Sequence, residues 1–254
     1  MGKSRSGARS RACLSGLAPL LRSVHPPFQV GHFHGKDAQG SGRAYTGRAK
    51  LVPVVTVLLL LFQIVLGGIV VLTRLHVDLT TFHFANAIVI FMLTLYMVYF
   101  DGLSIRPLFN ISGYKGLFFA LSVLVFIQLV LGAYVRHAGA GLACPDFPTS
   151  LGYIVPPRLS GLILYHYSHR TLAYLITALA AVLLVMSFYS QALGKDRGRL
   201  YLLAGLIVIQ IALGVTVVLS KLHFAATGFH LVIALLILWV PFNIWCRRMQ
   251  ESSV

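Results

Sequence analysis

Four histidines sit in or beside apolar runs at matched spacings: His76 and His83, then His223 and His230. Seven residues of helix turn through about 700°, roughly 20° short of two full turns. Each pair therefore shares one helix face. The first member lies at the edge of its run, beside Arg74 or Lys221, where an interfacial position suits it. The second lies about 10 Å deeper, at about 1.5 Å per residue. Ionisable groups at that depth face a bundle interior and mark function. His166 and His169 stand three apart in "YHYSHRTLAY", on neighbouring sides of one helix. His137, and His25, His32 and His34 in the N-terminal segment, read as solvated.

Zinc takes three or four ligands, often with Cys or carboxylate among them. The three cysteines, Cys13, Cys144 and Cys246, form no CxxC pair, and the only glutamate is Glu251. That excludes a carboxylate-bridged metal centre and leaves a proton relay short of acids. Two imidazoles from different helices, in an apolar slot, suit a haem iron with two axial ligands. Such a haem buries its rim among Leu, Val and Phe and directs its propionates outward, where Arg170 and the loop arginines can meet them. The alternative is a set of core histidines hydrogen-bonded across helices. Recurrence at one depth favours the ligand reading.

The elements that must position these side chains are membrane helices. Of 254 residues, 57% are apolar, more than a soluble domain carries. Six runs, at about 51–72, 77–100, 115–135, 161–189, 200–220 and 223–245, are each long enough to span. Backbone polar groups in hydrocarbon must be satisfied locally, so the fold class is all-α, a polytopic helical bundle. The net charge of +15 follows membrane topology, not nucleic acid. With the N-terminus inside, sixteen of the twenty-one Lys and Arg fall on inside segments, and both termini lie on the cytoplasmic or matrix side. Residues 1–50 are basic and Ser-rich and read as a disordered tail; a mitochondrial leader is the alternative.

Residues 63–90 and 210–237 align at an offset of 147, with fourteen of twenty-eight positions identical. Gln63 matches Gln210, Gly67 matches Gly214, and both histidine pairs are in register. A helical hairpin is duplicated. The chain reads as one and a half copies of a four-helix unit: residues 51–110 hold the second hairpin of a first half, residues 111–248 a complete second half with the haem pocket, and residues 249–254 a tail.

The motifs resemble the haem A synthase family of cytochrome oxidase assembly proteins. "LGAYVRHAGAGLACPDFP" resembles the end of that family's fifth helix and its following loop. "HYSHRTLAY" resembles the His-Arg motif of its sixth helix, "GFHLVIA" the histidine motif of its eighth, and "QIVLGGIVVLTRLHVDLTTFHFANA" its third and fourth helices. The resemblance covers about residues 51–248. It implies an eight-helix fold of two four-helix halves, of which the first two helices have no match here. It implies that His169 and His230 are the axial pair of a haem b, with Arg170 beside it, and that His83 meets a substrate haem. The family reaction oxidises the C8 methyl of haem O to a formyl group, giving haem A. Haem O synthase, oxidase assembly factors, membrane lipids, an electron acceptor and a second copy of the chain are the implied partners. A bacterial cytoplasmic membrane is the preferred location and a mitochondrial inner membrane the alternative.

The family's catalytic Glu, the partner histidine of His83 and a second loop cysteine have no counterpart in this sequence. His76, His166 and His223 are weaker site candidates. A non-catalytic bis-histidine electron-transfer protein and a small-solute transporter remain as other readings.

Overall fold

Apolar runs without charge leave the backbone only itself to bond to, and helices result. The computed structural model describes residues 51–100 and 113–251. The readings for residues 1–50, for the stretch around Arg106 and for the last three residues lie outside the described residues. Six membrane-length helices are present: α1 (Leu51–Leu72), α2 (Val77–Phe100), α3 (Gly113–His137), α4 (Gly161–Tyr189), α6 (Arg197–Leu219) and α7 (Phe224–Glu251). A four-residue helix, α5 (Gln191–Gly194), lies between α4 and α6. Side-chain hydroxyls within the helices bond back to the preceding turn, as Ser122 does to Phe118 O and Thr177 to Ala173 O, both at 2.8 Å. Large apolar side chains such as Ile64, Val65 and Val71 stand exposed where lipid would cover them. The protein is an integral membrane helical bundle.

Four helices form a ring. α3 packs on α4, α4 on α6, α6 on α7, and α7 back on α3. In that order α4 and α7 are diagonal, as are α3 and α6. α1 packs on α2, and α2 joins the ring chiefly through α3. α3, α4, α6 and α7 therefore group as four, with the α1–α2 hairpin beside them.

The duplication extends to the backbone. Arg74 and Leu75 end the α1 turn with φ of 55° and 62°; Lys221 and Leu222 end the α6 turn with φ of 53° and 68°. Non-glycine residues rarely adopt this left-handed region. Equivalent bonds close both turns: Leu75 N donates to Val70 O at 2.9 Å, and Leu222 N to Val217 O at 2.8 Å.

α7 runs six residues past its expected end at 245, and Pro241 lies inside it. Burial explains the extension: Ile244, Trp245, Cys246 and Met249 are all in the core. Asp196 fixes this end. Its carboxylate accepts from Arg199 at 2.9 Å and from Arg248 Nε at 2.6 Å, so one buried acid ties the start of α6 to the end of α7. Leu193, fully buried, anchors α5 beside them.

A histidine-walled cavity as the candidate functional site

The ring encloses a cavity of about 640 Å³, within the usual range for ligand sites. His169 on α4 and His230 on α7 both line it, facing inward from diagonal helices. Most of the remaining wall is apolar, including Val125, Leu129, Ile176, Ile207 and Ile237. The Nδ1 atoms of His169 and His230 are buried without a hydrogen-bond partner among the described residues. A buried polar atom left so is costly unless something else meets it. Among the described residues no three His, Cys, Asp or Glu side chains gather as a metal-ion site. Two imidazoles, each with an unpartnered Nδ1 and both lining one apolar cavity, are instead a donor set that fits a two-ligand haem.

Each imidazole meets a glutamine and a glycine on the neighbouring helix. Gln128 on α3 puts its amide nitrogen 3.4 Å from His169 Nε2 and donates to His169 O at 2.9 Å. Gln210 on α6 lies 3.2 Å from His230 Nε2. Gly132 and Gly214, one turn further along, leave room for the ring edges: a Cβ on either would stand 2.9 or 3.2 Å from the histidine Cε1. In the pairwise repeat, Gln128 and Gly132 carry no mark. The signal for them is a pentapeptide occurring three times: QIVLG at 63–67, QLVLG at 128–132 and QIALG at 210–214.

His83 repeats this arrangement on the first hairpin. Its Nε2 lies 3.2 Å from Gln63 Nε2, and Gly67 faces its ring. Asn86 adds a contact with no equivalent in the ring, donating to Gln63 Oε1 at 2.6 Å. A second hollow of about 690 Å³ between α1, α2 and α3 is lined by Thr81, Asn86, Phe126 and Tyr134, with His83 outside its wall.

The remaining candidates divide by depth. His76 and His223 are exposed at the hairpin turns, with His76 Nδ1 4.0 Å from Asp78. His166 is buried, but its Nδ1 lies 3.0 Å from Ala140 O and 3.4 Å from Cys144 N, so it holds the long loop to α4. Arg170 lines the edge of the cavity and also binds that loop. It donates to Cys144 O and Asp146 O, each at 2.7 Å, and to Thr149 O at 2.9 Å. Arg136 and His137 stand at the same mouth, at the end of α3. Cys144 is buried and free.

The loop itself turns around Asp146. The Thr149 hydroxyl and the backbone N–H groups of Gly152, at 2.8 Å, and Leu151, at 2.6 Å, donate to its carboxylate. These bonds, the Thr149 hydroxyl first, hold its carboxyl well below the usual range.

Comparison with known proteins gives the family. The family profile described as cytochrome oxidase assembly protein matches residues 22–241. A haem A synthase of Halalkalibacterium halodurans is 31% identical over 177 residues, covering 67% of this chain and 59% of the relative. That of Shouchella clausii is 30% identical over 183 residues, with the same coverage, and that of Anaplasma marginale 31% over 141 residues, covering 51% of this chain and 39% of the relative. The chain thus spans about three fifths of the length of the first two relatives. It belongs to the cytochrome oxidase assembly protein family.

Proposed function

We propose that this chain is a haem A synthase-like membrane protein that holds a haem b between His169 and His230. The observation that carries the reading is the placement of those two imidazoles, on diagonal helices, facing one apolar cavity. When bound, a bis-histidine haem supplies a one-electron store inside the bilayer. The chain's residues do the rest. His169 and His230 would hold the iron through ring nitrogens. The apolar wall keeps water from the site and so tunes its potential. Arg136 and His137, which line the cavity, would offer charge and a hydrogen bond, respectively, to the propionates of a bound haem. Arg170 contributes there while its guanidinium fastens the loop that roofs the mouth.

The reaction we assign to the whole protein is the family's, oxidation of the haem O C8 methyl to the formyl of haem A. His83 takes the substrate haem. Haem O synthase supplies that substrate, and an electron acceptor and oxidase assembly factors complete the setting. The location is a bacterial cytoplasmic membrane, with both termini on the cytoplasmic side.

The test is a reduced-minus-oxidised spectrum of the purified protein together with an assay of haem O conversion. A b-type spectrum lost in both His169→Ala and His230→Ala supports the site. A spectrum unchanged by both substitutions overturns it. A b-type spectrum without haem O conversion favours an electron-transfer protein, and a haem-free protein favours a transporter.

A further inference from the structure

We infer that Gln128 and Gln210 are positioning residues for His169 and His230, each acting with a glycine one turn along its own helix. The inference rests on the haem reading above and deepens it. Residues i and i+4 lie on one helix face, so Gln128 with Gly132, and Gln210 with Gly214, present a paired surface to the neighbouring histidine. The glutamine amide touches the Nε2 edge of the ring, at 3.4 and 3.2 Å. The glycine leaves space for the Cε1 edge, where a Cβ would stand 2.9 or 3.2 Å away. Nε2 and Cε1 are bonded neighbours in the imidazole, so glutamine and glycine together bear on one edge of the ring and set where that edge points.

Two observations separate this from a polar side chain that merely finds a partner. First, the arrangement occurs three times, with Gln63, Gly67 and His83 as the further copy. In two copies the glutamine and histidine are 20 residues apart, and in the third 41, because the long loop intervenes. Helix packing, not chain proximity, builds it. Secondly, the Oε1 atoms of Gln128 and Gln210 are buried without a partner among the described residues. An amide serving its own satisfaction would have both ends bonded, as Gln63 has through Asn86. Among the described residues, Gln210 in the ring has only the imidazole to hold, and Gln128 only the imidazole and the carbonyl of the same residue. Glycine inside a helix also asks for a packing reason, and the ring edge is that reason.

The experiment uses the full chain in detergent and compares it with Gln128→Leu, Gln210→Leu and Gly132→Ala. Gly205→Ala is the control, because a Cβ there meets nothing within 4 Å. The readouts are the low-spin electron paramagnetic resonance of the oxidised haem, its midpoint potential and its retention. All three test variants should shift the resonance and potential and weaken haem retention by about tenfold or more, the usual scale for groups that orient a metal ligand. Gly205→Ala should match the unsubstituted chain. Gly132→Ala keeps the comparison open if a leucine variant fails to fold, because Ala favours helix over Gly.

Unchanged resonance and potential in the glutamine variants overturn the inference while leaving the haem reading intact. An unsubstituted chain without a bis-histidine signal overturns the haem reading itself. The positioning role is then decided on haem-free protein, with the histidine rings labelled with nitrogen-15. Gln128→Leu should move the His169 ring resonances, and their constancy would refute the contact.

Discussion

The two repeated hairpins share a turn geometry, a glutamine, a glycine and a buried histidine, yet they stand in different surroundings. In the second, α6 and α7 complete a four-helix ring, and His230 faces His169 across a cavity. The long loop roofs its turn, so that Leu222 packs against Gly141 and is 38% exposed. In the first, α1 packs closely on α2 alone among the described helices, and Leu75 at the matching turn is 65% exposed. His83 lies against α1, and Asn86, which aligns with Ile233, fixes its glutamine. The same local sequence thus lines a walled cavity in one place and lies outside it in the other, although the Nδ1 of His83, like those of His169 and His230, is buried without a partner among the described residues. Neighbouring helices, not the histidine motif, decide which.

The largest effect should separate the two histidines. His230→Ala removes one wall of the cavity's donor pair, and the b-type spectrum of purified protein should fall by about tenfold or more. His83→Ala should leave that spectrum close to unsubstituted intensity. Equal losses from both substitutions would erase the distinction drawn between the hairpins.

Much of this contrast was legible before the fold. Length and hydropathy set the six membrane helices, and the repeat placed His83 and His230 at one depth. The count of hairpins suggested a four-helix unit, but not that α3, α4, α6 and α7 close into a ring in that order. What the letters did not disclose was which helix faces meet. Gln128 pairs with a histidine 41 residues away, across a loop, so no regular spacing announces it. Arg170 read as a propionate partner, whereas three loop carbonyls also take its donors, a contact that depends on how the loop folds back. The extension of α7 to Glu251 depends on Asp196 and on buried aromatic packing around Trp245.

A second test acts on the first hairpin. Asn86→Ala leaves Gln63 Oε1 and Leu59 O without the amide that now donates to them, at 2.6 and 3.3 Å. Interhelical polar contacts in membranes are modest, so the loss should be about 1–2 kcal/mol, read as lower thermal stability in detergent. The haem spectrum should not change. A smaller effect should follow in the second hairpin from Gly141→Ala. Its Cβ would stand 2.8 Å from Leu222 Cδ2, but that atom ends a flexible side chain and can move. Roughly 1 kcal/mol of overpacking is expected, with faster proteolysis of the long loop. Gly68→Ala on α1, where a Cβ meets nothing within 4 Å, should be neutral or slightly stabilising.

The smallest effect is a pH dependence confined to the roofed hairpin. The Thr149 hydroxyl and the N–H groups of Gly152 and Leu151 favour the Asp146 carboxylate and hold its carboxyl below the ordinary value of about 3.9. Near that value the folded loop therefore binds fewer protons than the unfolded one. Its stabilisation is complete above the ordinary value and is lost as pH falls through it toward the lower folded value. Hydrogen exchange should consequently speed up at Leu151 and Gly152 as pH drops below about 4, after correction for the intrinsic rate. The turn at Arg74 and Leu75, which carries no such loop among the described residues, should show no matching change. Asp146→Asn should abolish the acid response while retaining some of the bonds, since an amide oxygen still accepts. If both turns loosened together in acid, the loop would not be what distinguishes the hairpins, and the contrast would have to rest on the helix ring alone.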